Sequence, residues 1–103
     1  MSNNPLTAGL RPTHPGEILR EDTLPALGRS KVEIAALLGV SRRALYNILD
    51  EKAAITPDMA LRIGKLTGTN PQIWLSVQQA YDLRMTEKAI RATLKKIPTL
   101  EVA

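Results

Sequence analysis

The stretch from Lys31 to Asp50, KVEIAALLGVSRRALYNILD, constrains the fold more than any other part of the chain. A single glycine, Gly39, separates two segments that each repeat apolar residues at helical spacing. Ile34, Ala35, Leu37 and Leu38 make one apolar face, and Leu45, Ile48 and Leu49 make the other. Ser30 and Ser41 stand where a hydroxyl can accept an orphan backbone N–H at a helix start. Gly39 supplies the left-handed conformation that ends a helix without steric cost. Ala35 is small enough for a close helix crossing, and Val40 can plug the core from the turn. The pattern predicts two short helices, at roughly 31–38 and 41–50.

With those apolar residues inward, Arg42, Arg43, Tyr46 and Asn47 are left on the outward face of the second helix. A protein that puts side chains into the DNA major groove needs such a face. The plain alternative is a helical hairpin with a solvated polar side. The small residue, glycine, turn plug and serine cap at fixed offsets favour DNA binding over it.

The rest of the chain also reads as helical. Pro15 opens a first helix through Glu17, Ile18, Leu19 and Leu24, which Pro25 and Gly28 end. Thr56-Pro57-Asp58 combines a cap, a proline suited to the first helical position and an acid at the positive end of the helix dipole. Met59, Ala60, Ile63 and Leu66 form the inward stripe of that fourth helix, and Gly68 stops it. Asn70-Pro71 repeats the device for a fifth helix, expected to run to about Met85. Its wide apolar face holds Ile73, Trp74, Val77, Ala80, Tyr81 and Leu83. Ile90, Leu94 and Ile97 extend a weaker stripe to Pro98. No run alternates as a strand would. The expectation is an all-α domain of five helices with a C-terminal helical extension. Residues 1–10 read as a flexible lead-in, 11–86 as the DNA-binding domain and 87–103 as the extension and tail.

Composition sets the remaining bounds. The 103 residues suffice for one domain, and the 44% that are hydrophobic support a core. Phenylalanine is absent, so that core must come from Leu, Ile, Val and Ala. The net charge of +4 is permissive for nucleic acid. Its placement is more telling: Arg29, Lys31, Arg42 and Arg43 surround the outward face, with Glu33 as the only acid between Arg29 and Arg43. The absence of cysteine excludes disulfides, thiolate metal sites and cysteine nucleophiles. No run is long and apolar enough to span a membrane, so a soluble cytoplasmic protein with no membrane partner is expected.

Nothing in the chain reads as catalytic. His14, the one histidine, sits in a proline turn without clustered ligands and is expected to be a turn or surface residue. Glu17 and Glu21 lie one helical turn apart with Arg20 between them, as on a solvated charged face. Phosphate-cradling glycine loops and hydrolase motifs are missing. No enzyme, cofactor or metal site is expected. Trp74 has two readings, a core residue or an interface anchor. Arg84, Lys88, Arg91 and Lys95 share one helical face, either solvated or touching phosphate.

Residues 31–50 resemble the helix-turn-helix of the phage-repressor-like (lambda repressor-like, XRE) regulators, with Ala35, Gly39, Leu45 and Ile48 at matching positions. Two further stretches narrow this. RPTHPGEILREDTLPALG, at 11–28, and ITPDMALRIGKLTGTNPQIWLSVQQAYDLR, at 55–84, resemble HigA-type (VapI-type) antitoxins. The resemblance implies a type II toxin–antitoxin role: a homodimer on a palindromic double-stranded operator that represses its own operon and neutralises a RelE-like, HigB-type ribonuclease toxin by binding it. It also implies residue roles. Arg42, Arg43 and Asn47 would reach base edges, arginine matching guanine and asparagine matching adenine with paired hydrogen bonds. Lys31, Ser41 and Tyr46 would contact phosphates or a thymine methyl. Trp74, Leu75, Tyr81 and Met85 are the candidate dimer residues. Lys31 departs from the glutamine common in that family, so operator sequence does not transfer from relatives. A stand-alone repressor without a toxin is the alternative.

Overall fold

The structure, a computed structural model, describes residues 11–102, so the expected lead-in at 1–10 lies outside the described residues. Helix starts follow the capping chemistry. Ser30 Oγ accepts from the Glu33 N–H at 3.1 Å and opens α2, Lys31–Leu38. Ser41 Oγ accepts from the Ala44 N–H at 3.0 Å and opens α3, Arg42–Leu49. Thr56 caps α4, Pro57–Thr67, through the Met59 N–H, and Asn70 caps α5, Pro71–Ala89, through the Gln72 N–H. A short α6, Arg91–Leu94, follows the break at Ile90. The described residues contain helices and no strand, as expected.

The first helix departs from the expected single α-helix. After one turn of α1, Pro15–Ile18, the chain widens into a π turn at Leu19–Thr23, with the Leu24 N–H bonded to the Leu19 carbonyl at 2.9 Å. A 3₁₀ turn at Pro25–Leu27 completes the segment. Pro25 is the cause, because proline lacks an N–H and its ring displaces the carbonyl four residues earlier. The chain accommodates it with a longer and then a shorter hydrogen-bond loop.

α4 packs along α5, α2 lies against α3 and α4, and α1 touches both α3 and α5. Leu19, Ile34, Leu45, Leu49 and Ile63 are the largest apolar side chains fully enclosed. Of the expected inward residues of α2, Ile34, Ala35 and Leu38 are buried, whereas Leu37 is 55% exposed. α2 carries apolar residues on more than one side, and its neighbours leave the Leu37 side uncovered. The wide apolar face of α5 is also mostly uncovered. Trp74 alone of the six named residues is buried, and Ile73 and Leu83 are largely exposed. α5 runs one turn past Met85, since Thr86 to Ala89 contain no helix breaker.

Trp74 is a core residue at 4% exposure, and its indole Nε1–H donates to Thr69 Oγ1 at 2.8 Å. Gln78 is buried as well; its Oε1 accepts from the Ile55 N–H at 2.8 Å and tethers the α3–α4 connector to α5.

His14 is neither a surface nor a free turn residue. It is 2% exposed, its Nδ1 accepts from the Gly16 N–H at 2.9 Å as the cap of α1, and its ring meets Tyr81 edge-on at 4.8 Å. Next to it, Gly16 lies against the backbone of α3: a Cβ there would sit 1.9 Å from the Ile48 carbonyl oxygen. Helices α1 and α3 thus meet backbone to backbone, which only glycine permits.

Two outcomes follow. Gly16→Ala forces these backbones apart, and chemical denaturation is expected to give a loss at or above the roughly 1–3 kcal/mol of ordinary overpacking; a loss near zero contradicts the close approach. Burial pushes the His14 imidazole below its usual value, so the folded protein holds it neutral. The unfolded chain takes up the proton first, and stability present above about pH 6.5 falls as the pH drops toward the folded-state value. His14→Asn keeps a cap acceptor without titrating, so its urea midpoint is expected to fall less than that of the wild type between about pH 7.5 and 5.5.

Candidate nucleic-acid interface

The outward face of α3 is built from its N-terminal turn. Ser41, Arg42 and Arg43 are exposed, Tyr46 is 38% exposed one turn on, and Asn47 is half-buried beside it. α3 has no acid in its first turn, whereas α2 carries Glu33 and α4 carries Asp58 there. Two guanidinium groups at the positive end of a helix dipole oppose helix formation. They suit an anion arriving from outside.

Those charges are free. Among the described residues, neither Arg42, Arg43 nor Lys31 forms an ion pair, whereas Arg11, Arg20, Arg29 and Arg62 each do. Lys31 Nζ lies 6.0 Å from the Tyr46 ring centroid, a cation–π distance that joins the start of α2 to the face of α3. Lys31, Arg42, Arg43 and Tyr46 are therefore exposed on the same two helices, with Ser41 at the cap between them.

Both helices of the motif are closed at their C-terminal ends by arginines from elsewhere. Arg20 Nη1 donates to the Leu49 carbonyl at 2.6 Å and so caps α3. Glu51 follows with φ of 62°, the one non-glycine residue in the left-handed region among those described. Its carboxylate bonds both Arg11 and Arg20, which hold it below the usual carboxylate range. This pairing offsets a backbone conformation that glycine would adopt more easily. At the other end, Arg62 Nη1 donates to the Leu38 carbonyl at 2.8 Å.

Sequence reasoning located α3, its caps and its exposed residues, and missed these supports. Arg20 and Leu49 are separated by 29 positions and Arg62 and Leu38 by 24, so no local pattern joins them. The four residues named as dimer candidates are not one exposed patch. Trp74 lies in the core, Leu75 and Tyr81 are half-buried, and Met85 is 40% exposed. Clusters of three or more His, Cys, Asp or Glu able to hold a metal do not occur among the described residues. Among them, too, no helix is long and apolar enough to cross a membrane.

A short capped helix with unpaired arginines at its exposed end, packed across a second helix through a glycine turn, defines a helix-turn-helix protein of the DNA-binding class. The helix-turn-helix family model matches residues 19–74. The chain is 45% identical to virulence-associated protein I of Dichelobacter nodosus over 75 residues, covering 73% of this chain and 69% of that protein. It superposes on antitoxin GraA in complex with its operator with a TM-score of 0.81 at 40% identity, over 92% of this chain and 96% of that one. With the Pseudomonas aeruginosa antitoxin HigA with higBA promoter, the TM-score is 0.82 at 33% identity, over 89% and 100%. The chain belongs to the XRE-type helix-turn-helix family, in the group that includes the HigA antitoxins and virulence-associated protein I.

Arg43→Ala is expected to weaken binding to operator DNA by about 1–3 kcal/mol at fixed salt with the fold intact. Lys31→Ala is expected to act on all sequences alike and to lower the salt slope by about one. Gel-shift titrations with circular dichroism as the folding control check both; no change for Arg43→Ala contradicts its assignment.

Proposed function

We propose that this protein is the antitoxin of a HigBA-like type II module: a homodimer that binds a palindromic operator, represses its own operon and neutralises a RelE-like toxin by binding it. The observation that carries this reading is the unpaired, exposed Arg42–Arg43 pair at the start of α3, on a chain similar to antitoxins described with their operator or promoter DNA. In this reading Arg42, Arg43 and Asn47 meet base edges, while Lys31, Ser41 and Tyr46 meet the backbone.

A second copy fits the uncovered side of α5 and α6. Leu83, Ile90 and Leu94 are each at least 40% exposed there, and they line a groove of about 840 Å³ with Val77 and Tyr81. Arg84 and Glu87 on the same groove give it both charge signs, as a self-complementary surface requires. A dimer reading two half-sites needs its recognition helices about 34–36 Å apart, one turn of DNA.

Leu83→Glu is expected to shift the protein from dimer to monomer by light scattering and to weaken operator binding; an unchanged dimer places the interface elsewhere. For the toxin partner, the test is co-expression with the product of the neighbouring reading frame. Rescue of growth with co-purification supports the antitoxin reading. Operator binding without rescue or co-purification marks a stand-alone repressor.

A further inference from the structure

We infer that Arg62, on α4 and outside the reading helix, is a positioning residue that sets the aim of Arg42 and Arg43 by closing the turn between α2 and α3. The inference rests on the reading of α3 as the DNA-contacting helix.

The turn has a defined hydrogen-bond deficit. At the end of α2, Gly39 sits at φ 73°, its N–H bonds to the Ala36 carbonyl at 3.1 Å, and the Val40 N–H reaches back to the Ala35 carbonyl at 3.1 Å. That double closure satisfies two of the last carbonyls of the helix. The Leu38 and Gly39 carbonyls are outside it. Arg62 takes both, with Nη1 2.8 Å from Leu38 O and 3.4 Å from Gly39 O. Its Nε donates to Asp58 Oδ1 at 2.6 Å, which fixes the guanidinium plane. The contact is close enough that a Cβ on Gly39 would lie 3.0 Å from the same Nη1.

Ser41, the cap of α3, follows Gly39 by two residues. A change in the turn therefore tilts the first turn of α3, where Arg42 and Arg43 sit. Arg62 reaches the Asp58 carboxylate and the two carbonyls from two nitrogens held in one rigid plane, whereas the donors of a lysine radiate from a single nitrogen on a flexible stem and fix no such plane. An exposed pair one helical turn apart adds little to global stability. The function of this arrangement is geometric.

The test compares wild type, Arg62→Lys and Asp58→Asn as full chains on two duplexes of equal length: the DNA upstream of this chain's own reading frame and a scrambled copy. Affinities are measured across a salt series, with thermal unfolding as the folding control. Arg62→Lys keeps the charge, so a phosphate-contacting role would survive it. Positioning predicts a loss of about tenfold on the upstream duplex, the scale of one weakened base contact, with the scrambled duplex and the salt slope unchanged. Asp58→Asn gives a smaller loss in the same direction. Wild-type behaviour of Arg62→Lys, or an equal loss on both duplexes, overturns the inference.

A wild type that does not prefer the upstream duplex counts against the DNA reading instead. The turn is then judged by amide hydrogen exchange. Faster exchange at Gly39 and Val40 in Arg62→Lys, at unchanged global stability, supports the clamp, and unchanged exchange there overturns it.

Discussion

Arg20 and Arg62 reach across the fold to the last carbonyls of α3 and α2, and the proposed aim of α3 at DNA rests on these two contacts. An isolated helix as short as α3 is marginal in water. Its first turn is further strained by two arginines at the positive end of the dipole. Three features hold it in place: the Ser41 cap, the apolar underside of Leu45, Ile48 and Leu49, and the Arg20 guanidinium at its end. Of these only Ser41 also belongs to the outward face, so the Arg42, Arg43 and Tyr46 side chains stay available for ligand.

The same division holds in the surrounding helices. α1 approaches α3 so closely that Gly16 lies on the Ile48 carbonyl, and His14 links that corner to Tyr81 on α5. Gln78 ties the α3–α4 connector to α5 from the other side. α5 is thus a spine that α3 is referenced to, and its far half projects with apolar residues uncovered. Support on one side and an uncovered face on the other suit the proposed dimer, in which the spine would set the spacing of two copies of α3.

Much of this was legible in the sequence because it is local. Ser30, Ser41, Thr56 and Asn70 each cap a helix through an N–H two or three residues on, and Gly39 ends α2 through its own backbone. Periodicity found Leu45, Ile48 and Leu49 correctly, since α3 has one apolar side. It misjudged Leu37, Ile73 and Leu83, because α2 and α5 carry apolar residues on more than one side and periodicity cannot say which side a neighbour covers. His14 was misread for a similar reason: its burial is created by a partner at Tyr81, far along the chain. Arg20, Glu51 and Arg62 were hidden because their roles exist only after the helices have packed. The proline that reshapes α1 was visible, but not the π turn by which the chain absorbs it.

The proposed function requires that α3, rather than the basic side of α5 and α6, meets the DNA. Titrating the labelled protein with a duplex from upstream of its own reading frame, while following backbone amide NMR shifts, tests it directly. Changes concentrated at Lys31 and from Ser41 to Asn47 are predicted. Changes concentrated at Arg84, Lys88, Arg91 and Lys95, with α3 silent, would contradict it.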